Sequence, residues 1–374
     1  MKNTEFLKSW RGWRDAGGIP TICKIAVITL LINQSAGAQE VSRASSDKPT
    51  NVIIFIADGL GFAQLSLVMQ MHAGQALWQR FTATGWHQPS PLGGYLTDSA
   101  ASATAIATGT TTLNGAIGVD ENGTPLQNIF ELASENGYRT GVVTDSYVWD
   151  ATPAGFTVHS ESRENAAEIL QALSGSSLDV LLGELEKVGD DDVPDQQATE
   201  ALFEARFSLL DATASDADSY AGEPIAGLFR ENQIEGQSSE PTLQHLTAVA
   251  LDALTHYSEP FLLLLETEEL DSAGHWANEK RLENGLSAMQ DTVAVVFDFL
   301  EQYPDTLFVF TSDHETGGLV LKSNSKNLRV KPKFNTLKHT GSVVPVLAVG
   351  PGDSNFIGIH TNSGLGQLLK SLIH

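Results

Sequence analysis

Five short apolar runs punctuate the chain: Val52 to Ala57, Gly141 to Thr144, Phe261 to Leu265, Leu307 to Phe310 and Val346 to Val349. Each is unbroken rather than alternating, the pattern of strands buried on both faces of a mostly parallel sheet. Between them the period changes. Leu282, Leu286, Met289, Val293, Val296 and Leu300 follow each other at four and three residues, one helical stripe that Pro304 ends. Leu126 to Asn136 predicts a shorter helix closed by Gly137. Strands and helices in alternation predict a three-layer, doubly wound α/β fold with a mostly parallel central sheet and helices on both faces. Residues 183–236 break this rhythm. They are acidic at Asp190-Asp191-Asp192 and rich in Ser and Gln, with no clear strand, and predict a surface insertion or helical cap.

The start of the chain reads differently again. Lys2, Lys8, Arg11, Arg14 and Lys24 precede an apolar run from Ile25 to Ile32, which Ala36-Gly37-Ala38 follows. Basic, apolar, then small-x-small predicts a secretory signal over 1–38, cut after Ala38, and a periplasmic or secreted protein. The run is too short to span a bilayer. On this reading 39–50 is an N-terminal segment and 51–374 the folded domain. Composition narrows the partners. Asp plus Glu number 46 against 22 Lys plus Arg, a formal charge of −24. Such a surface repels nucleic acid and anionic membranes. The single cysteine, Cys23, excludes an internal disulfide framework and any cysteine-rich metal site, so a metal would be held by His, Asp and Glu. The acid excess also fits adaptation to salty or cold water.

In open α/β sheets ligands collect beyond the carboxyl ends of the strands. The residues just past the apolar runs are Asp58, Glu266, Asp313 and His314, and Asp98 and Ser99 follow Gly93-Gly94-Tyr95-Leu96-Thr97. Each has an ordinary alternative: a turn, a solvated loop, or an acidic helix start. Asp271 and His275, four residues apart, place a carboxylate and an imidazole on one helical face, a pair for a divalent cation or a surface ion pair. His339 is expected in a loop before the last strand. Ser99 opens a helix of small residues, where it serves either as N-cap or as a nucleophile set where an anion is favoured. No Gly-x-Ser-x-Gly is present, so a metal is the better source of activation than a Ser-His-Asp triad.

Together these segments resemble the alkaline phosphatase family of metal-dependent phosphomonoesterases. The resemblance is carried by Ala57-Asp58-Gly59, Thr97-Asp98-Ser99-Ala100-Ala101, Asp150-Ala151-Thr152-Pro153-Ala154, His159-Ser160-Glu161-Ser162-Arg163, Glu266 through Asp271 to His275, Asp313-His314-Glu315-Thr316-Gly317-Gly318 and His339-Thr340-Gly341-Ser342. It runs from Asn51 to about Gly352 and is weakest over 183–236. It implies two zinc ions, one held by Asp271, His275 and His339, the other by Asp58, Asp313 and His314 with Ser99 beside it. It implies a magnesium ion held by Asp58, Thr152 and Glu266. It also implies a phosphoserine intermediate on Ser99, Arg163 gripping the phosphate, small phosphate monoesters as substrates, and a homodimer. Two positions beside these ligands depart among relatives: Asp150 is His in some members, and Ser272 stands where relatives carry Lys, His or Trp near phosphate. The alternatives are a phosphodiesterase of the same superfamily and a secreted metal- or phosphate-binding protein without turnover.

Overall fold

The apolar runs become the middle of a sheet because they are buried from both sides. A computed structural model describes residues 48–71, 74–185, 196–215, 217–234, 241–323 and 330–373. The expected signal segment and most of 39–50 therefore lie outside the described residues. The strands are β1 Asn51–Ala57, β2 Ala83–Gln88, β3 Arg139–Tyr147, β4 Val180–Leu185, β5 Ser208–Leu209, β6 Ile225–Arg230 and β7 Phe261–Thr267. They continue as β8 Thr306–Thr311, β9 Glu315–Thr316, β10 Val320–Ser323, β11 Val330–Lys333, β12 His339–Thr340, β13 Val344–Val349 and β14 Gly358–Thr361. The helices are α1 Phe62–Val68, α2 Gly74–Trp78, α3 Ser99–Thr108, α4 Ile129–Glu135, α5 Ala151–Thr157 and α6 Ala166–Ser174. After them come α7 Gln196–Phe203, α8 Leu243–Thr255, α9 Glu269–His275, α10 Glu279–Gln302 and α11 Asn362–Leu372.

Ten strands form one sheet in the order β14-β2-β13-β8-β1-β7-β3-β4-β6-β5. Its pairings are parallel except where β13 runs antiparallel to β2 and to β8. Alternate residues of β1 enter two separate cores. Val52, Ile54 and Ile56 pack in the core that includes residues of α3, α5, α6 and α11; Ile53, Phe55 and Ala57 pack in the one built with α1, α8 and α10. That alternation makes three layers. Each fully buried Val, Ile, Leu or Phe contributes about 1.5–3 kcal/mol, so the central strands anchor whatever they carry at their ends. The α10 stripe is buried from Leu282 to Val296, and Leu300 is partly buried against the same core. Among the described residues no helix is long and apolar enough to cross a membrane.

Residues 183–236 differ from the expectation. The stretch is not strandless: β6 pairs in parallel with β4, and β5 with β6, extending the central sheet at one edge. The signal was the short run Ile225 to Phe229, whose residues are mostly buried. The shorter helix also starts later than the apolar pattern predicts. Asn128 caps α4, its side chain accepting from the Glu131 N–H while Glu131 reaches back to the Asn128 N–H.

Candidate active site

The central strands β1, β7 and β8 are neighbours, so the residues at their carboxyl ends converge. Ile56 stands opposite both Glu266 and Thr311. Beyond β1 the chain turns at Gly59, whose φ of +73° and close approach to Asp271 leave no room for a side chain: an added Cβ would lie 2.7 Å from the Asp271 Cα. Asp58 and the start of α9 are thereby brought together.

Two clusters of ligand-type side chains result. In one, His275 Nε2 lies 3.1 Å from His339 Nε2 and 3.2 Å from Asp271 Oδ2, and His339 Nε2 lies 3.6 Å from Asp271 Oδ1. In the other, His314 Nε2 lies 3.1 Å from Asp313 Oδ2, 3.2 Å from Ser99 Oγ and 3.6 Å from Asp58 Oδ1. Asp271 stands between them, since Asp58, Asp271 and His314 also offer ligand atoms within 4.8 Å of one another. Ligand atoms about 2.0–2.1 Å from a tetrahedral centre are about 3.3–3.4 Å apart. The spacings in both clusters bracket that value.

Three further observations fit a cation. The rings of His275 and His339 each point Nδ1 at a carbonyl, of Leu337 and Thr97 respectively, both at 2.8 Å. A carbonyl only accepts, so the proton sits on Nδ1 and Nε2 turns its lone pair into the cluster. For His314 the same task falls to Thr316, whose hydroxyl donates to Asp271 and can accept from His314 Nδ1 at 3.2 Å. Second, the Nε2 atoms of His275 and His339 face each other, and two lone pairs so placed need a positive charge between them. Third, Asp58 Oδ1, Asp313 Oδ2 and Thr152 Oγ1 are buried without a well-formed hydrogen bond, a cost that a ligated ion removes.

Charge says the same. Burial, then the neighbouring carboxylates Asp313, Asp271 and Glu266, push Asp58 well above the usual carboxylate range. Burial and Asp150 do likewise for Glu266, and burial raises Glu268. Asp271 is the exception: burial raises it, but the neighbouring imidazoles of His275 and His314 outweigh that and bring it down to about 2. A crowd of buried acids that repel one another is the setting a divalent ion stabilises.

Ser99 is the first residue of α3, and Asp98, not Ser99, is its N-cap, accepting from the Ala101 N–H at 2.9 Å. The hydroxyl is thus released from capping and turned to His314. Residues 93–97 form no strand, so Ser99 reaches the site from a loop rather than a sheet end. Arg163 holds Asp150 at 2.9 Å and approaches Asp98 at 3.9 Å. Asp150 also accepts from Ser146 at 2.8 Å, and caps α5, which bears Thr152. Glu266 accepts from Thr144 at 2.5 Å. Ser272 turns away to donate to Glu268 at 2.7 Å. His339 lies not in a loop but in β12, opposite Thr316 of β9, and both β13 and β14 follow it.

Sequence reasoning overlooked the residues that hold the ligands. Gln64, fully buried on α1, donates to Glu315 and to the Thr316 carbonyl, both at 3.2 Å, and accepts from the Gly61 N–H. Glu315 in turn accepts from Thr340, next to His339. The links from Gln64 to Glu315 and Thr316 cross more than 250 residues, and only the Glu-Thr after His314 gave a signal.

Comparison with known proteins agrees with this geometry. A family model described as "Alkaline phosphatase" matches residues 49–193 and 196–336. Alkaline phosphatase 4 of Bacillus subtilis (strain 168) is 28% identical over 85% of this chain and 74% of its own length. Alkaline phosphatase 3 of the same organism is 30% identical over 76% of this chain and 64% of its own. The solved alkaline phosphatase of the Antarctic bacterium TAB5 superposes with a TM-score of 0.80 at 28% identity, covering 88% of this chain and 98% of that one.

Proposed function

The chain belongs to the alkaline phosphatase family, and from that premise we propose how its own residues hydrolyse phosphate monoesters. Ser99 is the nucleophile: its Oγ forms a bond to phosphorus as the ester oxygen leaves with the alcohol, giving a phosphoserine. Water then cleaves that bond in the second step, releasing inorganic phosphate and restoring the hydroxyl. Arg163 pairs with the phosphate oxygens through its planar fork, and Asp150 and Asp98 hold the guanidinium in place. The N-terminus of α3 adds backbone N–H groups and a favourable dipole for the same anion.

The two clusters fit zinc, by their mixture of imidazole and carboxylate: Asp271, His275 and His339 for one ion, Asp58, Asp313 and His314 for the other. Asp58, Thr152 and Glu266 offer the all-oxygen set that suits magnesium. When bound, such ions supply the positive charge that draws in a dianionic substrate, acidifies the attacking hydroxyl and stabilises the leaving oxygen. The chain's part is to hold the donors apart at fixed spacing, keep each imidazole in the right tautomer and shield Ser99 from bulk water.

The observation that carries this reading is the Ser99 hydroxyl at the start of α3, buried 3.2 Å from His314 and free of capping. We take the substrates to be small monoesters, the region from residue 51 to be one catalytic domain, the protein to act outside the cytoplasm after losing 1–38, and its solution form to be a homodimer. The acid excess disfavours nucleic acid as a partner. The test compares kcat/KM for 4-nitrophenyl phosphate and for its bis-ester, before and after chelation, with metal analysis alongside. Preference for the monoester, abolished by chelation and restored by zinc with magnesium, supports the reading. Preference for the diester, or zinc bound without turnover, overturns it.

A further inference from the structure

Helix α3 meets the turn that follows β8 with two hydroxyls, only one of which has a chemical task. Ser99 and Ser102 are three residues apart and share a helical face. Ser99 Oγ stands 3.2 Å from His314 Nε2, while Ser102 Oγ donates to the Asp313 carbonyl at 2.8 Å. Neighbouring residues of the helix face thus touch neighbouring residues of the turn, and both hydroxyls are buried.

The rest of α3 gives little direction toward that turn. Its residues are all buried and half of them are Ala, and apolar contact is non-directional. Its other side-chain tethers lead elsewhere. Asp98 accepts from the Gly115 N–H at 2.8 Å; Thr104 donates to the Ala116 carbonyl at 3.0 Å and accepts from the Gly118 N–H at 2.9 Å. These fix the helix against the 114–118 loop. Among the described residues, Ser102 alone sends a side-chain hydrogen bond from α3 to the backbone of 312–314. The turn itself is held from other sides. The fully buried His87 donates Nε2–H to the Ser312 carbonyl at 2.7 Å, and Ser312 Oγ accepts from the Leu60 N–H at 3.0 Å and donates to the His314 carbonyl at 2.6 Å. Apart from the Ser99 contact itself, a rigid turn and a smooth helix are therefore joined at one point, the Ser102 bond.

We propose that Ser102 is a positioning residue that sets the distance from the Ser99 hydroxyl to the Asp313–His314 turn. The proposal rests on the reading of Ser99 as nucleophile. Ser102 touches no substrate and acts only through the alignment of Ser99.

The test uses the metal-loaded enzyme and the variants Ser102→Ala, Ser102→Cys and Ser102→Thr. It measures phosphorylation of Ser99 by rapid quench with 4-nitrophenyl phosphate, the inhibition constant of inorganic phosphate, metal content and thermal melting. A misplacement near 1 Å costs on the order of 100-fold, so Ser102→Ala is expected to slow phosphorylation by about 10- to 100-fold. Phosphate inhibition and metal content stay at wild-type levels. Ser102→Cys, with a weak S–H donor, falls between, and Ser102→Thr regains most of the rate. An Ala variant as fast as wild type overturns the proposal. So does equal loss in Ala and Thr, or metal lost in step with rate, because the bond then only holds the fold. A wild-type enzyme that turns over without labelling Ser99 overturns the nucleophile reading, and Ser102 falls with it.

Discussion

The two clusters are made of the same ligand types but live in different solvents. The His314 side chain is 0% exposed, whereas that of His275 is 36% exposed. The buried cluster sits directly at the ends of β1 and β8, where the apolar core closes around it. The open one is assembled from α9 and the short strand β12, whose His339 is half-buried. The difference teaches a division of labour. A nucleophile gains from a dry, fixed setting in which electrostatic interactions are strong. In the proposed reaction a leaving alcohol and an entering water need an open route, and the His275 side is the more exposed of the two.

Removing the nucleophile gives the largest effect on this comparison. Ser99→Ala is expected to lower kcat/KM on the order of 10 000-fold while both clusters still bind metal, as measured by steady-state kinetics and metal analysis. Next come the imidazoles. His314→Ala is expected to cost on the order of 1000-fold and to resist rescue, because a void opens in a closed core. His275→Ala is expected to cost on the order of 100-fold and to recover partly as zinc is raised, because solvent can supply the missing ligand. Equal loss and equal rescue in the two variants would break the comparison.

Arg163→Ala sharpens it from the substrate side. Loss of the proposed bidentate grip is expected to raise KM and the phosphate inhibition constant by about 10- to 100-fold, with a smaller change in kcat. The smallest effect lies away from both clusters. His159 offers Nδ1 to the Gly118 carbonyl at 2.7 Å and Nε2 to Glu131 at 2.9 Å. Two acceptors ask for two ring protons. The Glu131 hydrogen bond accordingly raises the His159 pKa above its ordinary 6.5. For Glu131, burial raises the pKa, and the bonds from His159 and the Asn128 N–H bring it below its ordinary 4.5. The imidazolium contributes stability that is complete below its unfolded pKa and is lost as pH rises through the raised folded value. The carboxylate's share is present above its unfolded pKa and is lost as pH falls through the lowered one. A half-exposed pair of this kind is worth under about 1 kcal/mol, or roughly 1–3 °C in Tm for a chain of this size. Glu131→Gln should therefore lower the calorimetric Tm by that amount near pH 6 and by almost nothing near pH 9.

How much of this the sequence discloses depends on where the information sits. The central strands were legible because two-sided burial forces unbroken apolar runs, and their neighbours Asp58, Glu266, Asp313 and His314 followed from position alone. The outer strands were not. Along β2 burial alternates, so Trp86 and His87 gave no run, and β6 is short and set in polar sequence. At the site, Asp271 and His275 showed themselves by helical spacing. Gln64 and Ser102 did not, because a single hydroxyl or amide that supports a distant residue leaves no periodic trace, and Thr316 stood out only through the motif that follows His314. The cap of α3 teaches the same lesson. Asp98 and Ser99 both suit an N-cap by composition, and only the backbone turn decides which of them is left free to react.

The most direct test of the central claim is to quench the metal-loaded enzyme in acid during turnover of a monoester carrying labelled phosphate, then map the labelled peptide. The account predicts one labelled residue, Ser99, at a level that rises and falls with substrate. Turnover with no covalent label, or with the label on any other side chain, would contradict it.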